Sequence, residues 1–461
     1  MTTTLQFLGA ARQVTGSKHL LTVNGRKVLL DCGMVQGPRR IANKLNSQLP
    51  FRAEDVDAVL VSHAHIDHSG SLPLLVKEGF EGRIHCTHAT KDLLGILLPD
   101  SAYLQASDAR HLTKRGHRFE PPYSMEDVEH TMAKVQGEGY GKSIDVCPGV
   151  RATLLDAGHI LGSAHVIIDV DDGPHSMRIV FTGDHGRKGM PILRDPEPLP
   201  ECDVLITEST YGDRLHPPLD ELEIQISQFI AEQRGRGGRI LIPAFSVGRT
   251  QNILWYLGRL IDEGVIDPLP IYVDSPLSSK ATAIAARHQE LFDRQAREVL
   301  ASGRDPFLFD GVKCVADVNE SKALNQLRSG IIISASGMCE GGRILHHLEQ
   351  TIGRPEDCIL IVGYQAQGTL GRKLLEGYDY VKIYGERHKV RCRVHHINGL
   401  SAHADYREML EHVRPLARTT KQVFVVHGEE DPALKFADHL LDAGFRSVEV
   451  PVYKEVFTLR P

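Results

Sequence analysis

The hexapeptide His63-Ala64-His65-Ile66-Asp67-His68 packs three imidazoles and a carboxylate into one turn, just after the apolar run Ala58-Val59-Leu60-Val61. An apolar run of this kind reads as a buried strand. The turn at its end can hold polar side chains rigidly while they face solvent. Neutral imidazole and carboxylate are the donors that borderline divalent cations such as Zn²⁺ prefer, and no sulfur is needed. The pattern therefore predicts a two-metal site at a strand end. The plainer reading is a chance cluster in a chain with 24 histidines, and it fails only if matching ligands lie further along.

Three positions supply them. His159 stands in Asp156-Ala157-Gly158-His159, Asp184 in Phe181-Thr182-Gly183-Asp184, and His427 in Val425-Val426-His427-Gly428. Each follows or ends an apolar run, and an adjacent glycine lets the backbone turn sharply. Any one of them alone would read as an ordinary turn residue.

At 461 residues the chain exceeds what a single core usually supports, so two domains are expected. Its net charge of −6 argues against a protein that coats nucleic acid through bulk charge, but leaves room for a local basic groove. The N-terminus lacks a signal-peptide pattern, and no apolar run approaches the roughly 20 residues of a spanning helix. No membrane association and a cytoplasmic location are the expectation. The eight cysteines are scattered singly, without a CxxC pair, and read as small buried hydrophobes in a reducing compartment.

The first third reads as short strands, with Lys18 to Val23 and Lys27 to Asp31 joined through the hairpin signal Asn24-Gly25. Strands are also predicted at Ala152 to Leu155, Ala164 to Val170, Ile179 to Thr182 and Val204 to Thr207. From about residue 215 helix and strand alternate. Leu219, Leu222, Ile226, Phe229 and Ile230 fall at helical spacing, Arg239 to Pro243 is a strand, and Arg249 to Ile261 is a helix. Such alternation implies a parallel α/β sheet. Strand character returns from about 385, which suggests one domain inserted into another.

These residues together resemble the metallo-β-lactamase superfamily, and more narrowly the β-CASP nucleases, the group of the endonuclease that cuts messenger-RNA precursors before polyadenylation. The resemblance covers nearly the whole chain. Its anchors are Asp31, the HxHxDH cluster, His159, Asp184, Glu208 in Thr207-Glu208-Ser209-Thr210, His403 in Ser401-Ala402-His403-Ala404-Asp405, and His427. It implies an α/β protein: a metallo-β-lactamase αββα sandwich with an inserted Rossmann-like parallel α/β (β-CASP) domain. The boundaries expected are 1–208 and 386–461 for the sandwich and 209–385 for the insert.

Residue by residue, the resemblance implies that His63, His65 and His159 hold one metal, that Asp67, His68 and His427 hold the second, and that Asp184 bridges them. Asp31 would orient a ligand imidazole; as a plain strand-end residue it would have no such role. Two Zn²⁺ are expected, with Mn²⁺ or Fe left open by the same donors. A metal-bridged hydroxide would attack a phosphodiester, and His403, held by Glu208, would serve as general acid. Asp67 and Asp184 count among the catalytic residues through the charge they place on the metals. The products would be a 5′-phosphate and a 3′-hydroxyl.

The expected function is endonucleolytic hydrolysis of single-stranded RNA, because among similar proteins histidine at the position of His427 goes with RNA. A small-molecule hydrolase of thioesters or lactams leaves Glu208, His403 and the insert without a role. A 5′-exoribonuclease is a further alternative, although the stretch after His427 is short for ribonuclease J and Asp31 lies too near the start for a preceding RNA-binding KH module. For gripping phosphate, the strand pattern Lys389-Val390-Arg391-Cys392-Arg393 puts its basic residues on one face. Ser336 and Gly337, Arg249, and Arg372 sit at small-residue turns that could cradle phosphates. Each is equally readable as an ordinary solvated face or an α/β turn. The oligomeric state is open, a homodimer included.

Overall fold

In the computed structural model, which describes residues 3–37, 39–114, 119–171 and 176–460, Asn24 and Gly25 both take positive φ, of 50° and 83°. That turn matches the twist of the strands it joins. It folds His19–Val23 back on Arg26–Leu30 in antiparallel register, with Val23 opposite Arg26.

This hairpin belongs to a seven-stranded sheet whose order runs Val456–Thr458, Thr4–Phe7, His19–Val23, Arg26–Leu30, Ala58–Leu60, Arg83–Thr87, Val135–Glu138. A second seven-stranded sheet runs Val448–Glu449, Gln422–Val425, Val204–Thr207, Ser176–Phe181, Ala164–Asp171, Val150–Asp156, Ser143–Cys147. Side chains alternate across a strand, and the sequence uses this. Val166, Ile168 and Val170 join Leu5, Phe7, Leu21 and Leu30 in the core between the sheets. Ile167 points the other way, into a core shared with Met409, Val413, Phe436 and Leu440 of the helices Tyr406–Val413 and Glu430–Asp442. The long helix His88–Lys114 contacts the first sheet at Arg83–Thr87 and Val135–Glu138. Sequence periodicity had not marked it.

These elements form one of two units, comprising Met1–Lys188, Asp195–Leu215 and His403–Pro461. The other comprises Gly189–Arg194 and His216–Ala402. Its centre is a six-stranded, all-parallel sheet in the order Val312–Cys314, Ile271–Val273, Ser329–Ser334, Gly238–Pro243, Cys358–Ile361, Arg393–His396. The predicted helix beginning at Leu219 is Leu219–Arg236, and it buries Leu222, Ile226, Phe229 and Ile230.

The second unit differs from the expected range 209–385, because Arg393–His396 pairs with Cys358–Ile361 and so completes its sheet. Nor does a single strand run through Lys389, Arg391 and Arg393, as the alternation of basic and apolar residues predicts. Glu386–Lys389 pairs antiparallel with Tyr380–Ile383. The chain then breaks, because the amides of Arg391 and Cys392 both donate to the carbonyl of Ile352, at 2.8 and 3.1 Å. Arg391 therefore shares no strand face with its basic neighbours. No helix among the described residues is long and apolar enough to cross a membrane.

Candidate metal centre

The first unit gathers every expected ligand at one end of its strands, and the backbone does the aiming. Asp31 follows Arg26–Leu30 with φ 58°, and His427 follows Gln422–Val425 with φ 50°. Left-handed backbone costs a non-glycine residue energy and persists where its surroundings fix it. Gly183 takes φ 55°, and a Cβ there would lie 2.7 Å from Cβ of Ser62, so only glycine lets Asp184 reach the centre. His65 caps the short helix Ile66–Ser69, which carries Asp67 and His68. His403 pairs with Gly186 as an isolated bridge, and the Ala404 amide donates to the His185 carbonyl at 2.9 Å, fixing it beside Asp184.

The side chains converge in two neighbouring groups, His63, His65, His159 with Asp184, and Asp67, His68 with His427. His63 Nε2 and His159 Nε2 lie 3.4 and 3.5 Å from Asp184 Oδ2, while His68 Nε2 lies 3.4 Å from Asp184 Oδ1. Asp67 Oδ2 is 3.5 Å from His427 Nε2. Asp184 thus presents one oxygen to each group, and its Oδ1, although buried, has no hydrogen bond.

Second partners orient the rings. His68 Nδ1 donates to Asp31 Oδ2 at 2.6 Å. Asp31 is itself held by the Ser62 amide at 2.8 Å and by the hydroxyls of Ser62 and Ser17 at 3.0 and 3.2 Å. Thr210 Oγ1 donates to the His427 carbonyl and so accepts from His427 Nδ1, both at 3.0 Å. With those outer protons engaged, the two Nε2 atoms meet at 2.9 Å and can share at most one proton, in keeping with the raised His68 pKa; a metal cation beside both nitrogens would take that proton's place. The residues therefore fit a divalent metal pair: imidazole nitrogens and carboxylates, buried, with their distal atoms engaged.

The electrostatics point the same way. Burial lowers the His68 pKa, but Asp184 and Asp31 outweigh it and push it up to about 10. A field that strong for a proton is strong for a metal cation. Burial holds His65 down at about 4 and His63 well below its ordinary value, so both are neutral donors. Burial raises Asp67, but His427 and His68 outweigh it and its carboxyl sits well below the usual range.

Beside the centre, His403 Nδ1 lies 3.1 Å from both Glu208 oxygens and 3.9 Å from Asp184 Oδ2. Burial lowers His403, but Glu208 and Asp184 outweigh it and raise its pKa to about 9. Glu208 is lowered to about 2, His403 overcoming burial. Two backbone amides, of His185 at 2.7 Å and Thr210 at 3.3 Å, fix the carboxylate. Ser17, Ser62 and Thr210 were not singled out from the sequence. Ser62 and Thr210 sit beside the hexapeptide and Glu208, and that adjacency was the available signal.

The candidate phosphate residues lie in the second unit. Ser336 and Gly337 follow the strand Ser329–Ser334, and the Gly337 carbonyl accepts from Gln365 Nε2 at 2.9 Å. Arg249 opens the helix Arg249–Asp262. Arg372 pairs with Glu376 at 2.6 Å, and Arg393 with Glu232 at 2.6 Å, while Arg391 is exposed. Two of the four arginines are thus already paired with a carboxylate, and the structure gathers no cluster from them comparable to that around Asp184.

A sandwich of two sheets with this histidine and aspartate set at one end is the architecture of the metallo-β-lactamase superfamily, whose family description matches residues 16–222. Residues 250–374 match the Beta-Casp domain, and residues 387–452 match the Zn-dependent metallo-hydrolase RNA specificity domain. Ribonuclease TTHA0252 of Thermus thermophilus is 36% identical over 430 residues, covering 92% of this chain and 93% of the relative. Transcription termination factor FttA of Methanocaldococcus jannaschii is 33% identical over 447 residues, 94% of this chain and 68% of that protein. A crystal structure of an Enterococcus faecalis V583 protein of unknown function shares the fold at TM-score 0.53 and 12% identity, over 100% of both chains. The chain belongs to the β-CASP ribonucleases of the metallo-β-lactamase superfamily, a family of metal-dependent hydrolases that act on RNA.

Proposed function

We propose that this protein is a zinc-dependent endoribonuclease that hydrolyses single-stranded RNA, leaving 5′-phosphate and 3′-hydroxyl ends. The observation that carries the chemistry is the His403–Glu208 pair set against Asp184: a carboxylate holding an imidazole in its protonated form at the edge of a cation-binding cluster. In this reading His63, His65 and His159 would hold one metal and Asp67, His68 and His427 the other, with Asp184 within reach of both. Bound there, a metal pair would supply charge to attract the phosphodiester and to acidify water near neutral pH.

The remaining steps fall to the chain. Asp31 fixes the His68 ring through its Nδ1 proton, as Thr210 fixes His427. Glu208 accepts from His403 Nδ1, which aims the ring and keeps it protonated. As the P–O3′ bond breaks, the Nε2 proton of His403 passes to the departing O3′ and avoids release of an alkoxide. The attacking water oxygen remains on phosphorus, so the downstream fragment carries the 5′-phosphate. RNA as substrate is supported by the RNA specificity match, which spans both His403 and His427, and by the relative named a ribonuclease. Ser336, Gly337, Arg249, Arg372, Arg391 and Arg393 are retained as the phosphate-gripping set.

A closed circular single-stranded RNA tests this directly, because it offers no end to an exonuclease. Linearisation by purified protein loaded with Zn²⁺, with 5′-phosphate ends, is the expected result. Inertness on the circle with digestion of the linear form would replace the endonuclease reading by an exonuclease one. Cyclic phosphate ends would refute the hydrolytic step. Turnover of a thioester or β-lactam but not of RNA would move the protein to a different substrate class.

A further inference from the structure

A second histidine cluster lies in the first unit, and the chemistry above uses none of it. His165 comes from the strand Ala164–Asp171, His185 from the turn after Asp184, and His412 from the helix Tyr406–Val413. The rings stand 5.3 Å (165 to 185), 5.2 Å (165 to 412) and 5.3 Å (185 to 412) apart. In the set His63, His65 and His159 the corresponding separations are 4.9, 5.1 and 5.3 Å. In both clusters the potential ligand atoms all lie within 4.8 Å of one another.

Hydrogen bonds fix which nitrogens face inward. His165 Nδ1 meets the Thr182 carbonyl at 2.7 Å, and His412 Nε2 meets the Glu197 carbonyl at 3.0 Å. A carbonyl only accepts, so both rings must donate outward and turn a lone pair inward. His185 Nε2 reaches Thr207 Oγ1 at 3.2 Å, whose own proton goes to the Glu208 carbonyl, which assigns His185 the same orientation. His165 Nε2 and His185 Nδ1 are buried without a hydrogen-bond partner.

Three inward lone pairs need positive charge. Burial drives His165 well below its ordinary pKa, which disfavours a proton on that ring as the remedy. A water has two hydrogens for three acceptors. Rings that each give their outer N–H to an oxygen and turn the other nitrogen to one point are the arrangement of metal-ligating histidines. Oxygen-seeking Mg²⁺ and Ca²⁺ do not suit three nitrogens, whereas Zn²⁺ does.

We propose that His165, His185 and His412 form a structural site for a divalent transition metal of the zinc class, separate from the Asp184 centre. The three neutral ligands leave a fourth position for water, and half-buried His412 marks the side of entry. The ion would tie the helix that starts just after His403 to the turn that carries Asp184.

Untagged full-length protein, stripped with a chelator and reloaded with Zn²⁺, is freed of loose metal by gel filtration, and zinc per chain is counted. His412→Ala should hold one equivalent less than wild type. Equal counts in two proteins with native circular dichroism would overturn the proposal. Since the variant could fold poorly, wild-type crystals grown with Zn²⁺ are also measured on both sides of the zinc absorption edge. An anomalous peak among the three imidazoles is expected. Its absence overturns the site, independently of any peak at Asp184.

Discussion

The two units hold their candidate functional residues in opposite ways. Around Asp184 the side chains are buried or nearly so, and the rings of His68, His427 and His403 are each pinned by a further hydrogen bond, donated to Asp31, Thr210 and Glu208. In the second unit the arginines expected to meet phosphate are half-buried or exposed, and Arg372 and Arg393 lean on local glutamates. A rigid cluster spends its conformational entropy during folding and can act at once. A solvated arginine must still be ordered by its ligand, so its contribution per residue is smaller. The contrast ranks the expected effects of mutation.

The largest belongs to Asp184, whose two oxygens lie 3.4 Å from His63 Nε2 and 3.4 Å from His68 Nε2, one imidazole of each group. Asp184→Ala should take RNA cleavage to background and release metal, read by elemental analysis of the folded variant. Retained metal with full turnover would break the proposed arrangement at its centre. His403→Ala comes next and separates chemistry from assembly. Metal content should be unchanged while kcat falls by about 10²–10⁴, the range for a lost general acid. Full activity in that variant would remove the acid from the mechanism.

The same contrast explains what could be read from the residues in advance. The turn of the hexapeptide and the glycine before Asp184 are dictated by backbone geometry, so they leave a local signature: Gly183 is required by its φ of 55° and the closeness of Ser62. The sequence marks a strand from Ala164 to Val170, observed as Ala164–Asp171, and helical spacing from Leu219 to Ile230 marks the helix observed as Leu219–Arg236. Other features are set at a distance. The stretch from Lys389 to Arg393 alternates as a strand should, yet Ile352 captures two of its amides and splits it. The triad of His165, His185 and His412 has no motif, because three separate elements deliver it.

Two smaller effects sharpen the picture of the first unit. Asp31→Asn keeps a residue that tolerates left-handed backbone but removes the charge that holds His68. Zn²⁺ affinity should drop by about 10–100-fold in a competition titration with a chromogenic chelator, and unchanged affinity would reduce Asp31 to a turn residue. Acid should also find this unit. Burial holds His19, fully enclosed beside Phe7 and Phe181, down at about 3 against an ordinary 6.5. Above pH 6.5 the ring is neutral whether folded or not, so it adds no pH dependence. Below that value the unfolded chain takes up a proton that the folded one refuses, and stability falls by about 1.4 kcal/mol per pH unit for such a histidine. Denaturant unfolding from pH 8 to 5 should show a slope to which His19 contributes, and His19→Gln should lessen it by about 1.4 kcal/mol per pH unit; an equal slope in the variant would place the acid sensitivity elsewhere.

The smallest effects should come from the arginines, and they differ among themselves. Arg391 is exposed, so it can turn to a phosphate without breaking an ion pair. Arg372 must give up Glu376 at 2.6 Å first. Arg391→Ala should therefore raise KM for RNA by a few-fold with kcat nearly unchanged, the signature of lost uniform binding. It should also lower the slope of log affinity against log salt by about 0.7, the value for one contact to a single strand. Arg372→Ala should change both less. If Arg391→Ala left KM and the salt slope untouched, or if kcat fell as steeply as in His403→Ala, the division between a rigid chemical centre and a loosely ordered grip would not hold.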